Sequence, residues 1–295
     1  MTSQSFPSRS SRYSKKPQKR PKKKHKSKRK NLLFKWIGFL LLILIALLCL
    51  FKFQVFTIHG DSKQYHLANG TKVELQTINF KTYLLNADTQ KKLTGLQTLD
   101  NKQYYFNTHN GEMVHGLKKL DDNYYYFTKD GSDDAIQAYE HVASNLKSDN
   151  SIIEKVISSG SKLVGKSPYV YGGGRTQSDI AKNRFDCSSF VSWFYRKAGQ
   201  PLVVQAYTRT SLLATTGTSH TWDTKERGDL LVTPDGYSEE RQHVAIYLGG
   251  NFILHDAASQ NGVTITRLNQ LVNPKTSSTL TWEALFKPGY VQREV

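Results

Sequence analysis

Three hydrophobic patterns follow one another along the 295 residues. The first is a continuous apolar run of twenty residues, Leu32 to Phe51, interrupted only by Lys35. As a helix it would extend about 30 Å, which matches the hydrocarbon core of a bilayer. Lys35 lies near one end, where its ammonium can snorkel to the headgroups, and Trp36 stands where indoles favour the interface. The following Leu47-Leu48-Cys49-Leu50-Phe51-Lys52 offers no small-x-small cleavage site, nor the small residue that a lipoprotein signal places before its cysteine. Residues 32–52 therefore predict one uncleaved transmembrane helix.

The second pattern, over residues 53–131, is strand-like, polar and aromatic-rich, and it repeats. Gly95-Leu96-Gln97-Thr98-Leu99-Asp100 recurs 21 residues later as Gly116-Leu117-Lys118-Lys119-Leu120-Asp121, and Tyr104-Tyr105-Phe106 recurs as Tyr125-Tyr126-Phe127. A worn copy precedes them, with Leu85-Asn86 in the place of Phe106-Asn107. A period near 20 residues predicts small hairpins that stack on their neighbours to bury their aromatics.

The third pattern begins helical. Asp133 or Asp134 can cap a helix bearing Ile136, Tyr139, Val142 and Leu146, expected here as part of a linker over residues 132–150. A second helix carries Ile152, Ile153, Val156 and Ile157 and opens a domain over residues 151–295. A third, with Phe190, Val191 and Phe194, ends near Gly199-Gln200-Pro201. Short strands follow at Gly228 to Val232, His243 to Leu248, Asn251 to His255 and Val263 to Arg267, separated by turn residues as in an antiparallel sheet. The expected fold class is α+β.

Charge changes the picture only once it is located. The formal net charge is +17, yet 15 of the 41 Lys and Arg, and none of the 24 Asp and Glu, lie between Met1 and Lys52. The remainder is close to neutral. Residues 1–31 have too little apolar surface to offset their ordering entropy and are expected to be a disordered basic tail. Ten basic side chains between Lys19 and Lys30, His25 included, suit an anionic-lipid or nucleic-acid arm. Beside a hydrophobic span they read as a topology signal, with the tail in the cytoplasm and everything after Lys52 outside the cell membrane. A nucleic-acid partner is not expected.

Two cysteines are present, Cys49 in the apolar run and Cys187 outside it, so Cys187 has no expected disulfide partner. It stands in Phe185-Asp186-Cys187-Ser188-Ser189-Phe190, at the first turn of the third helix. There the free N–H groups and the positive dipole end are expected to favour thiolate. His243 and His255 lie twelve residues apart across Gly249-Gly250-Asn251, so a hairpin brings both onto one face. A thiol nucleophile, a base and a residue that orients the base form a set suited to acyl transfer. No HExxH or other metal-ligand spacing appears, so neither a metal nor a cofactor is expected.

These residues resemble the NlpC-type cysteine peptidases, bacterial cell-wall endopeptidases with a papain-like core. Tyr169-Val170-Tyr171-Gly172-Gly173, Asp186-Cys187-Ser188-Ser189, Gly228-Asp229-Leu230 and His243-Val244-Ala245-Ile246-Tyr247 follow the order of the family's motifs. The resemblance covers residues 151–295, and it implies Cys187 as nucleophile, His243 as base and His255 as third member. It further implies Tyr169 near the oxyanion, with Asp186 and Ser188 receiving the substrate's amino end. The implied substrate is the peptidoglycan stem peptide, cut between γ-D-glutamate and the diamino acid. Ser189 and Ala245 stand where glycine is common, and Ser189 is expected to narrow the pocket. The repeat units within residues 53–131 resemble, over about 50 residues, the aromatic-glycine cell-wall-binding repeats of Gram-positive surface proteins. The Trp favoured by choline cages is absent from them, and ligand binding and a plain spacer that packs its own tyrosines fit equally.

Two other readings use the same residues: an inactive wall-binding scaffold, which the intact Cys187, His243 and His255 disfavour, and an amidase or acyltransferase working through the same thiol. A tethered hydrolase also suits local wall opening beside a secretion, conjugation or division assembly, by analogy alone.

Overall fold

The computed structural model describes residues 36–43 and 59–295. The basic tail, Cys49 and most of the expected membrane span lie outside the described residues. Residues 36–43 are helical and expose Trp36, Phe39, Leu40 and Leu42. Among the described residues no helix is long and apolar enough to cross a membrane.

Residues 59–295 pack as one unit. Strands β1 (His59–His66), β2 (Lys72–Ile78), β3 (Lys81–Asn86) and β4 (Lys92–Leu93) form an antiparallel sheet in that order. Two separate hairpins follow, β5 (Gly95–Leu99) with β6 (Lys102–Phe106) and β7 (Gly116–Leu120) with β8 (Asn123–Phe127). Their registers are copies: Gly95 faces Phe106 and Gln97 faces Tyr104, just as Gly116 faces Phe127 and Lys118 faces Tyr125. Glu74 facing Leu85 occupies the same place one repeat earlier, in the longer β2–β3 hairpin. Strand alternation sends Tyr104, Phe106, Tyr125 and Phe127 inward. The tight turn between β5 and β6 places Asp100 and Asn101 at φ 48° and 63°, the left-handed pair that a two-residue hairpin loop needs.

Helix α1 (Ala135–Val142) starts on Asp134, whose carboxylate accepts the Ile136 and Gln137 amides at 3.0 Å. It buries Ala138, Tyr139 and Val142 in the same core as the helices and strands that follow. The stretch expected to be a linker is therefore part of the packed structure. Its apolar face has the right period, and only the presence of a partner for that face escaped the sequence.

Helices α2 (Ser151–Ser161), α3 (Gln177–Ala181), α4 (Cys187–Ala198) and α5 (Thr210–Leu213) precede the main sheet. Its strands are β9 (Thr218–His220), β10 (Leu230–Val232), β11 (Val244–Gly249), β12 (Phe252–Ala257), β13 (Gly262–Arg267) and β14 (Tyr290–Arg293), with helix α6 (Trp282–Phe286) inserted before the last. The order β13-β12-β11-β10-β14-β9 is antiparallel throughout. One face carries Val244, Ile246 and Leu254 against Ile153, Val156, Phe190 and Phe194 of α2 and α4. The other carries Ala245, Tyr247 and Ile253 against Trp282, Leu285 and Phe286. Covered on both sides, β11 reads as an unbroken apolar run. Strand β14 was not anticipated because its interior is polar. Gln292 donates to the Ala214 carbonyl at 2.5 Å, and Arg293 pairs with Asp229 at 2.8 Å.

Candidate active site

Cys187 is the first residue of α4, and the sequence before it builds the cap. The Asp186 carboxylate accepts the Ser189 amide at 2.9 Å, while Ser189 Oγ accepts the Asp186 amide at 3.0 Å, a reciprocal capping box. Asp186 also accepts from Gly172 N at 3.1 Å, from Ser188 Oγ at 2.9 Å and from Arg175 Nη1 at 2.5 Å. Four partners on one carboxylate tie the glycine loop to the helix tip. Gly174, at φ 73°, passes so close that a Cβ there would lie 2.6 Å from Ser189 Oγ and 2.4 Å from the Phe185 ring. Ser189 thus turns into the protein, fully buried, and does not narrow the pocket as expected.

The two histidines come together across the β11–β12 hairpin. His243 immediately precedes β11, and its Nε2 lies 2.8 Å from His255 Nδ1. His255 Nε2 lies 3.0 Å from Thr266 Oγ1 on β13. The edge of the Trp282 ring packs on His255, centroids 4.5 Å apart, and Trp282 also covers His243 at 5.1 Å. With Nε2 engaged by His255, Nδ1 is the remaining ring nitrogen of His243. Were His243 to accept at Nδ1, its Nε2 would carry the proton, His255 would accept at Nδ1, and His255 Nε2 would donate to Thr266. Cys187 Sγ lies 3.9 Å from Thr210 Oγ1 and is approached by the backbone of Val244, the residue after His243.

Burial dominates the electrostatics. The Cys187 side chain, 6% exposed, has its thiol pushed up to about 12 by burial and then by the Asp186 charge, against the pull of the Thr210 hydroxyl and the Val244 backbone. Burial lowers His243 to about 3 despite Asp186, and lowers His255 as well, helped by His243. Burial favours the thiol and the neutral imidazole, opposing the thiolate expected from the helix tip. The dipole acts over a turn, whereas desolvation acts on the whole charge.

Two grooves of about 630 and 370 Å³ meet at this site and share Tyr169, Tyr171, Glu239 and Gln242 as walls. His243 lines the larger and Cys187 the smaller, so the cysteine sits on a groove floor. Tyr169 is held by pairing with Phe185. Its hydroxyl is pushed up by burial and by Cys187, Asp186 and Asp256. Asp186 and Ser188 line the smaller groove beside it. Sequence reasoning missed Arg175, which follows the glycine run and donates to Gly173 O, Asp186, Ser188 Oγ and Thr208 O. It also missed Thr210, Thr266 and Trp282. Asp256 was missed too: fully buried, neither carboxylate oxygen hydrogen-bonded, it is held up to about 8 by burial and by Asp186. Its signal was a charge inside an apolar strand.

A cysteine-tipped helix laid on an antiparallel sheet that presents a histidine pair is the papain-like α+β arrangement of thiol hydrolases. Residues 165–280 match the NlpC/P60 family, and residues 93–136 match a choline-binding repeat. Residues 165–280 are thus similar to NlpC/P60 domains, and hairpins similar to a choline-binding repeat precede them. Over 150 residues, 51% of the chain, the sequence is 41% identical to the peptidoglycan DL-endopeptidase CwlO of Bacillus licheniformis. The chain spans 30% of that protein's length. Among solved structures, the peptidoglycan hydrolase RipB of Mycobacterium tuberculosis is 23% identical, with 52% of this chain and 71% of that one covered and a TM-score of 0.34. The P60 domain of antigen MAP1204 from M. avium subspecies paratuberculosis is 21% identical, with 48% and 93% covered and a TM-score of 0.34.

Proposed function

We infer that the protein is a membrane-anchored, extracytoplasmic peptidoglycan hydrolase. It cuts stem-peptide amide bonds, between γ-D-glutamate and the diamino acid, by Cys-His-His acyl transfer. The observation that carries this reading is the 2.8 Å contact between His243 Nε2 and His255 Nδ1, with the thiol at the tip of α4 approached by the backbone of Val244, the residue after His243. The similarity to the peptidoglycan endopeptidase of Bacillus licheniformis supports the substrate class. The basic tail and the apolar run at Leu32 to Phe51 support the anchor and its orientation.

The reaction begins with both partners neutral. His243 Nδ1 takes the thiol proton as Sγ attacks the amide carbon, and His255 accepts from His243 Nε2 to steady the new imidazolium. The amide of Cys187, at the positive end of α4, meets the oxyanion, with Tyr169 beside it. The imidazolium then protonates the leaving amine, and a water deprotonated by His243 hydrolyses the thioester. Asp186 and Ser188, with Arg175 holding both, form the floor for the substrate's amino end. Every proton has a donor and an acceptor among these groups, so the sequence of steps calls on no cofactor. The hairpins hold this site at the wall.

Mass spectrometry of muropeptides digested by the wild-type chain tests the reading. Fragments ending at γ-D-glutamate are expected, and they should vanish with Cys187→Ser. Unaltered muropeptides, or full activity of Cys187→Ser, would sink it.

A further inference from the structure

Neighbouring residues on β13 serve two different regions. Thr266 turns to the sheet face that carries His255 and meets His255 Nε2 at 3.0 Å. Arg267 turns the other way and is fully buried, yet none of its guanidinium partners belongs to α2, α4 or the strands around it. It forms an ion pair with Asp133, with one contact at 3.1 Å. It donates to Tyr124 O at 3.3 Å and to Gln103 Oε1 at 3.4 Å, and it lies 4.0 Å above the Tyr125 ring. Its Nε reaches Asn269 Oδ1 at 3.4 Å, and Asn269 itself donates to the Tyr125 hydroxyl at 2.8 Å.

Asp133 is in turn fixed by both hairpins. Its amide donates to Gln103 O on β6 at 2.8 Å, and the next amide, that of Asp134, donates to Tyr126 O on β8 at 2.9 Å. The end of β13 is therefore gripped by residues more than a hundred positions earlier in the chain. A buried arginine has nowhere else to place its charge, so the grip allows one position of the strand. One residue away, that position determines where the Thr266 hydroxyl stands.

We propose that the aromatic hairpins are a positioning element of the catalytic relay, with Asp133 clamping Arg267 so that Thr266 fixes the ring and tautomer of His255. This rests on the Cys-His-His reading above. Thr266 accepts the Nε2 proton of His255, which leaves Nδ1 as acceptor for His243 and keeps His243 Nδ1 open to the thiol. Asp133, Arg267 and Thr266 are positioning residues that act through His255 and touch no substrate. The repeat region accordingly has a role that does not depend on holding the wall.

The test uses full-length protein and a soluble stem peptide, so that wall attachment by the hairpins cannot contribute. Thr266→Val keeps the shape and removes the hydroxyl, Thr266→Ser keeps the hydroxyl, and Asp133→Asn loosens the clamp. For folded Thr266→Val and Asp133→Asn, kcat is expected to fall roughly tenfold or more with KM within about twofold, while Thr266→Ser stays near wild type. Where Asp133→Asn does not fold, Tyr125→Leu keeps the ion pair, removes the ring beneath the guanidinium and carries the same expectation. Imidazole ¹H–¹⁵N spectra in the Cys187→Ala background read the tautomer without any turnover. They should show an exchange-protected Nε2–H on His255 that is lost in Thr266→Val and weakened in Asp133→Asn. Unchanged kcat and unchanged ring signals in the folded variants overturn the proposal. An inactive wild type with these ring signals intact would count against the hydrolase reading and leave the positioning role standing.

Discussion

Between Gly95 and Phe127 each hairpin forms its own two-stranded ladder and offers two inward aromatics, Tyr104 and Phe106 or Tyr125 and Phe127. In the six-stranded sheet, β11 is covered on one face by α2 and α4 and on the other by Trp282 and Phe286. The first kind of structure is local: its register repeats because the sequence repeats, and each unit needs a neighbour to be stable. The second is global, and its polar groups are satisfied by residues far apart in the chain. The two meet at Arg267 and along α1, where the local structure becomes part of the global one.

Removing the chemistry should separate the two regions most sharply. His243→Ala is expected to lower hydrolysis on the order of 10⁴-fold or more in a turnover assay, with the hairpins and their far-ultraviolet signature unaffected. A variant that kept a tenth of the activity would dissociate the histidine pair from catalysis.

Cutting the regions apart should cost stability next. A chain beginning at Ser151 loses α1, with its buried Ala138, Tyr139 and Val142, and leaves Arg267 without Asp133. Loss of one partner of such a pair costs roughly 3–5 kcal/mol. Denaturant unfolding should show the deficit, and a truncated domain as stable as the full chain would mean that the regions are independent.

The pH dependence is a smaller effect with a definite sign. His243 acts as base only when neutral, and burial lowers its pKa to about 3. The neutral form therefore persists below the ordinary histidine value of 6.5, and the acid limb of kcat/KM should lie below 6.5. A limb at or above 6.5 would show the site to be wetter than its burial implies.

Asp256→Asn should change stability in a pH-dependent way. The folded protein holds this carboxyl at about 8 against 3.8 for an ordinary aspartate, so the native state binds the extra proton. Its burden is absent below about 3.8, grows as pH rises towards about 8, and levels off above. The Asn variant should gain Tm progressively from pH 4 to 8, and a gain independent of pH would contradict this origin.

The helix-tip position of Cys187 and the meeting of the two histidines were legible because each leaves a local mark. Cys187 is the lone cysteine outside the apolar run, behind an N-cap aspartate, and His243 and His255 are spaced for one hairpin. The 21-residue period made the hairpins legible in the same way. Thr266, Trp282 and the Arg267–Asp133 pair left no such mark, since their meaning lies in contacts such as one spanning 134 residues. The burial that opposes a thiolate was hidden for a related reason: a helix tip is visible in a sequence, but the depth at which the fold sets it is not.

The absent Cβ of Gly174 has one more consequence. With no room for even a methyl group between it and Ser189 Oγ or Phe185, loop and helix tip interlock like two gear teeth. The sulfur cannot be shifted along its helix without dragging Tyr171 to Arg175 along. Variation in what the site accepts is therefore easier to reach from the opposite bank, at Glu239 to Gln242, where side chains are exposed and the backbone is under no such constraint.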